Sequence, residues 1–170
     1  MSKQKKDFDK YLIGPSARQS QGIGRLSQLA DMSGEAFGVD ERLVASAWIG
    51  DAATVRKLLS NPGQVPTAET LGASLVAAVA YGYNRPEPDG GPSTVSQLIA
   101  AGADLTVSDE NGDTVLIVAA RNGYLDVVNQ LILAGADLGA INNTGQTASD
   151  AAAGPMRFRV QKLLRDARSR

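Results

Sequence analysis

A chain of 170 residues, 43% hydrophobic and only 5% aromatic, is long enough for one domain whose core is built mainly from Ala, Val and Leu. It has no cysteine and no histidine, which excludes disulfides, thiolate nucleophiles and sulfur ligands along with the commonest general base and zinc ligand. The net charge of -1 is unevenly spread: residues 41–155 carry 5 basic and 12 acidic side chains while residues 156–170 carry 6 basic and 1 acidic, so the body repels phosphate backbones and no nucleic-acid partner is expected.

The amino-terminal stretch MSKQKKDFDKYLIGPS has the charges of a secretory leader but no apolar run behind them, and no later stretch reaches membrane-spanning length. The expectation is a soluble cytoplasmic protein with no membrane partner. Residues 1–39 stand apart from the pattern that follows them. Phe8, Tyr11, Leu12 and Ile13, set between charges, make an arm that is either a docked or disordered tail or a partner-binding peptide. Ile23, Leu26, Leu29 and Met32 fall near helical spacing and predict a short capping helix over 23–33. Val39 and Val44 then resemble a hydrophobic staple around an Asp40 cap.

From residue 40 the chain repeats itself. LIAAGADLTVSD begins at Leu98 and LILAGADLGAIN at Leu131, an offset of 33 residues, and self-similarity at such a period signals stacked structural units. In chain order, Leu43, Ala47 and Gly50 mark a first inner helix, and Val55, Leu58 and Leu59 its outer partner. Leu75, Ala78 and Gly82 mark the second inner helix, and Val95, Leu98 and Gly102 the second outer one. Between them the offset lengthens by about eight residues, so Tyr83 to Pro92, rich in Pro and Gly, is an inserted loop. The third unit is the most complete. Asn111-Gly112 forms a tight turn, Thr114 caps a helix containing Leu116, Ala119 and Ala120, and Gly123 ends it in the left-handed conformation. Val127, Val128, Leu131 and Ile132 then share one stripe of a second helix that Gly135 stops. Gly145, Thr147, Ala152, Ala153, Val160 and Leu164 repeat the template in a last unit, whose basic helix end suits a terminal cap. Helices this short are marginal alone and must stack.

This pattern resembles the ankyrin-repeat family, whose units read approximately Asp-x-x-Gly-x-Thr-Pro-Leu-His-x-Ala-Ala-x-x-Gly, followed by an outer helix ending Leu-Leu-x-x-Gly-Ala-Asp. The third unit matches at Asp109, Gly112, Thr114, Leu116, Ala119, Ala120, Gly123, Val128, Leu131, Gly135, Ala136 and Asp137. The resemblance implies an all-α solenoid of stacked helix-turn-helix units with short hairpin loops, over residues 40–66, 67–108 with the insertion at 83–92, 109–141 and 142–168. Val115 and Ala148 replace the family's Pro, and Val44, Val76, Ile117 and Asp150 its His. Because that His ties adjacent loops by hydrogen bonds, its loss implies a softer hairpin region.

Chemistry-bearing motifs are weak by comparison. Asp109, Asn111 and Asp113 open like a calcium loop, but Thr114 and Ala120 stand where such a loop needs Gly and Glu. Gly22-Ile23-Gly24 lacks the third glycine of a dinucleotide fingerprint, and Asn142-Asn143-Thr144 is a sequon without a secretory context. A serine nucleophile would need Lys or a carboxylate as base, and Lys57 and Lys162 fall on outer helices as solvated surface groups. No catalytic, metal or cofactor residues are assigned, and neither an enzymatic activity nor a small-molecule substrate is expected.

The family resemblance places a concave binding surface on the hairpin tips and the exposed ends of the inner helices. Carried over by position, it comprises Trp48, Ile49, Tyr81, Arg121 and Asn122 from inner helices, and Glu110, Asn111, Asp113, Asn143 and Gln146 from hairpins. Tyr83 and Arg85 of the insertion extend its edge. Trp48, Tyr81 and Arg121 are of the types enriched at interface hot spots and would form a ladder across three units; alternatively, Trp48 and Tyr81 pack against the insertion or the amino-terminal segment. The expected function is a non-catalytic module binding a protein partner with a basic patch, as adaptor or scaffold. The alternative is an immunity or inhibitor protein that occludes a cognate toxin or enzyme.

Overall fold

The fold is built from short helices bounded by stop signals in the sequence. The computed structural model describes residues 38–169 apart from 62, 64 and 83–90. The arm, the helix expected over 23–33, Tyr83 and Arg85 lie outside the described residues.

Helix α1, Val39–Ile49, starts from extended Gly38 and ends at left-handed Gly50, whose N–H and that of Asp51 close on the carbonyls of Ala47 and Ser46. This start is two residues earlier than the staple reading placed it. Asp40 and Glu41 therefore sit in the first turn, where carboxylates meet the positive end of the helix, and Asp40 is not the cap. Helix α2, Ala52–Leu59, is capped by Asp51, whose carboxylate accepts the Thr54 N–H at 2.9 Å. It buries Ala52, Val55 and Leu58 and leaves Arg56 and Lys57 in solvent.

Helix α3, Ala68–Ala77, is capped by the Thr67 hydroxyl and runs on into a π-helical turn, Ala78–Gly82. After α4, Gly91–Ala100, a loop leads to α5, Val115–Asn122. Thr114 stands at the N-cap of α5 in extended conformation but makes no side-chain bond to the helix, so its contribution there is backbone geometry. Gly123 ends α5 at φ 74° and leads into α6, Leu125–Leu133. The single turn α7, Ala148–Ala151, is held by a reciprocal capping box between Thr147 and Asp150, and α8, Arg157–Arg168, closes the described chain.

These helices stack in two layers. The inner layer runs α1, α3 with its π turn, α5, α7, and the outer layer α2, α4, α6, α8, each helix touching the next in its own layer. Among the described residues there is no strand, only an isolated bridge between Ser108 and Thr114 at the base of a hairpin. The core between the layers is continuous, with Leu43, Leu75, Leu98, Leu116, Ile117 and Leu131 sealed from solvent. Each such side chain contributes about 1.5–3 kcal/mol by its burial.

Small residues let the backbones close on one another. Asp104 donates its N–H to the Ala68 carbonyl at 3.2 Å, and a Cβ on Gly72 would lie 2.5 Å from the Asp104 carbonyl oxygen and 2.6 Å from the Val107 side chain. Only glycine fits there. The consequence is functional geometry, because this approach brings the hairpin after residue 104 against the inner helix of the preceding pair.

Candidate interaction surface

The hairpin of residues 108–114 is organised by one carboxylate. Asp109 Oδ1 accepts the N–H groups of Asn111 and Asp113, both at 2.9 Å, and the Gly112 N–H closes the turn on the Asp109 carbonyl at 3.0 Å. Gly112 adopts φ 72°, and a Cβ there would come within 2.9 Å of the Asn143 nitrogen, so the turn needs glycine twice over. Thirty-three residues later Asn142 does the same work: its Oδ1 accepts from Thr144 N–H at 3.0 Å and Gln146 N–H at 2.9 Å.

The two hairpins are bonded to each other. Asn143 donates its backbone N–H to the Asn111 carbonyl and its side-chain amide to the Glu110 carbonyl, both at 3.0 Å. The Asn142 amide donates to Asp113 Oδ1 at 2.7 Å. Asp113 is sealed from solvent and also receives Arg121, through Nη2 at 3.0 Å and through a shorter Nη1 contact. The softer hairpin region expected from the missing His is therefore not found at this junction, because Asn142, Asp113 and Arg121 form a tie of their own. Asp150, at the family's His position, is used locally. Its carboxylate accepts the Thr147 hydroxyl at 2.6 Å and N–H at 3.0 Å, which holds its pKa below the usual carboxylate range.

Two residues assigned to the surface lie beneath it. Trp48 is only 4% exposed, packed with Val44, Ala45 and Ala77 in a small satellite core, and Asp113 is fully buried in the tie just described. Trp48 does meet Tyr81, with ring centroids 5.4 Å apart and planes tilted by 54°, so the first two rungs of the expected ladder are in contact. Arg121 is held by Asp113 instead. Ile49 packs, half-buried, against the Trp48 cluster, while Asn122, Asn143 and Gln146 are exposed.

Tyr81 is 39% exposed and opens onto a cleft of about 380 Å³. Its floor is the apolar stripe Ala73, Val76, Ala77 and Ala80, and its opposite wall is the hairpin segment Val107 to Asn111. Burial, followed by the negative charges of Asp109 and Glu110, pushes the Tyr81 hydroxyl pKa upward. The cleft thus joins an aromatic ring, an apolar floor and an acidic rim. Glu110 and Asn111 were assigned from the sequence; Ala73, Val76, Val107, Ser108 and Asp109 were not. A signal for the floor exists, since the segment from Thr70 to Gly82 carries no charge and its apolar residues surround the helix on every side.

Residues 87–167 match the family described as ankyrin repeats, in three copies. Residues 87–167 carry ankyrin repeats. A search of curated proteins returns no match. Ankyrin repeats are protein–protein interaction modules and are typically non-catalytic. In the ankyrin stack seen here, α1, α2 and α3 precede the matched segment, and the cleft lies between α3 and the hairpin leading into α5. No helix among the described residues is long and apolar enough to cross a membrane.

Proposed function

We propose that this protein is a cytoplasmic, non-catalytic adaptor or scaffold that grips a protein partner in the cleft between α3 and the 108–114 hairpin. Four ankyrin units, from residue 40 to 168, form the platform. Tyr81 supplies the anchor ring, braced from below by Trp48, and Glu110 and Asn111 supply the polar edge. The carrying observation is the coincidence in one concave site of a half-exposed tyrosine, an uncharged floor and two acidic side chains. Such a site selects a partner with a basic patch, because like charges are repelled while complementary ones steer the encounter. The hairpin tie through Asn142, Asp113 and Arg121 keeps the edge in place before binding, which lowers the ordering cost on association.

A photo-crosslinking side chain placed at Asn111, beside the cleft, and separately at Lys57, exposed on α2, tests this reading in native lysate. One discrete protein joined at Asn111 and absent at Lys57 supports the cleft. Crosslinks at Lys57 alone would move the site to the outer helices. Assay of the captured protein's own activity then separates a scaffold, which leaves it active, from an immunity or inhibitor protein, which abolishes it.

A further inference from the structure

We infer that the cleft takes an arginine side chain of the partner, its guanidinium stacked on Tyr81 and paired with Glu110. The inference rests on the binding reading just proposed and names the chemistry that the same cleft selects. The aliphatic stem of an arginine suits the floor at Val76 and Ala80, as long cationic side chains cover apolar surface while keeping the charged head in contact with polar groups. A planar guanidinium stacks on an aromatic face and offers a fork of donors to a carboxylate.

The acceptor is assigned by elimination. Asp109 faces the same ring but its carboxylate already closes the turn by accepting from Asn111 and Asp113. Glu110 is exposed, and among the described residues no cation pairs with it; Arg121, on the inner helix of the same unit, is committed to Asp113. A carboxylate with no paired cation among the described residues, beside a half-exposed ring, gives the cleft a negative potential that a partner's cation would meet.

The test titrates N-acetyl-arginine amide, N-acetyl-lysine amide and the neutral isostere N-acetyl-citrulline amide into the full-length protein, read by amide NMR shifts. The arginine derivative is expected to give saturable shifts at Tyr81 and Val107 to Asn111, with a dissociation constant in the millimolar range. Citrulline should be far weaker, lysine weaker by several-fold, and Glu110→Gln should weaken arginine binding about fivefold, as removal of one exposed ion pair would. A Tyr81→Leu variant, which keeps an apolar side chain, should lose the stacking contribution as well. Equal shifts from citrulline, unchanged binding in Glu110→Gln, or no saturable shift at all would overturn the assignment, and lysine binding as tightly as arginine would overturn the stacking geometry. A partner that crosslinks at Asn111 while the arginine derivative leaves the cleft unmoved would sink this inference and leave the binding reading standing. Arginine saturation without any crosslinked partner would leave the cleft's selectivity for arginine standing and overturn its assignment to a protein partner.

Discussion

Asp104 and Asp150 each fold back on a nearby threonine. Asp104 accepts the Thr106 hydroxyl at 2.7 Å and N–H at 2.8 Å, and Asp150 accepts the corresponding groups of Thr147. Hydrogen bonds to the charged form lower both pKa values, the side-chain bond contributing most in each case, with Arg168 adding a smaller effect at Asp150. A carboxylate whose folded pKa is depressed contributes stability above its unfolded value of about 3.9, and that contribution fades as pH falls through the folded value. Thr147→Val should therefore raise the Asp150 pKa toward the ordinary range and leave Asp104 where it is, as side-chain carboxyl NMR titration would report. Gly72 makes a second prediction at this scale. Because a Cβ there meets a backbone carbonyl that has nowhere to go, Gly72→Ala should destabilise the fold by about 1–3 kcal/mol, the range for overpacking a close contact, despite alanine's better helix propensity. Denaturant unfolding at constant m-value would show it.

Among the elements, the hairpins and their glycines are the most legible in sequence. Asp109 with Gly112 and Asn142 with Gly145 recur at the 33-residue offset, each pair doing the same turn chemistry, because a turn is decided by residues within a few positions of one another. Gly123 could be placed for the same reason. The tie between hairpins could not be read, because Asn142 and Asp113 are 29 residues apart and only the stacking of units brings them together. The burial of Trp48 escaped the sequence for a related reason. Helix α1 hides Leu43 and Ala47 in the main core and Val44, Ala45 and Trp48 in a second cluster, which Ala77 of the next unit joins. Asp113 makes the tie testable. Removing its cation by Arg121→Met leaves a buried carboxylate with the Asn142 amide as its remaining side-chain donor, and should cost about 2 kcal/mol, tempered by the partial exposure of Arg121. Arg121→Met and Asn142→Ala act on one carboxylate, so their unfolding free energies should fail to add in a double-mutant cycle. Strict additivity would mean that the two contacts are independent.

At the scale of the whole molecule, the sequence specifies the stack well and the binding site less well. Period, helix stripes and glycine stops lead to an all-α ankyrin solenoid, since each unit's apolar face can be buried only by its neighbours. The cleft belongs to no single unit. Its floor comes from α3 and its π turn and its wall from the following hairpin, and Ala73, Val76 and Ala80 of the floor look like ordinary core until the geometry leaves them half-buried. The acidic excess of the body and the negative charges of Asp109 and Glu110 beside Tyr81 are the grounds on which a basic partner is proposed for this junction. The most direct test is calorimetric affinity for the crosslinked partner, comparing the unaltered protein with a Tyr81→Ala/Glu110→Lys variant and a Lys57→Ala control that all retain the helical circular dichroism of the parent. A partner held in the cleft should lose at least about tenfold, or 1.4 kcal/mol, in affinity for the cleft variant and none for the control. Undiminished affinity in the cleft variant would contradict this placement.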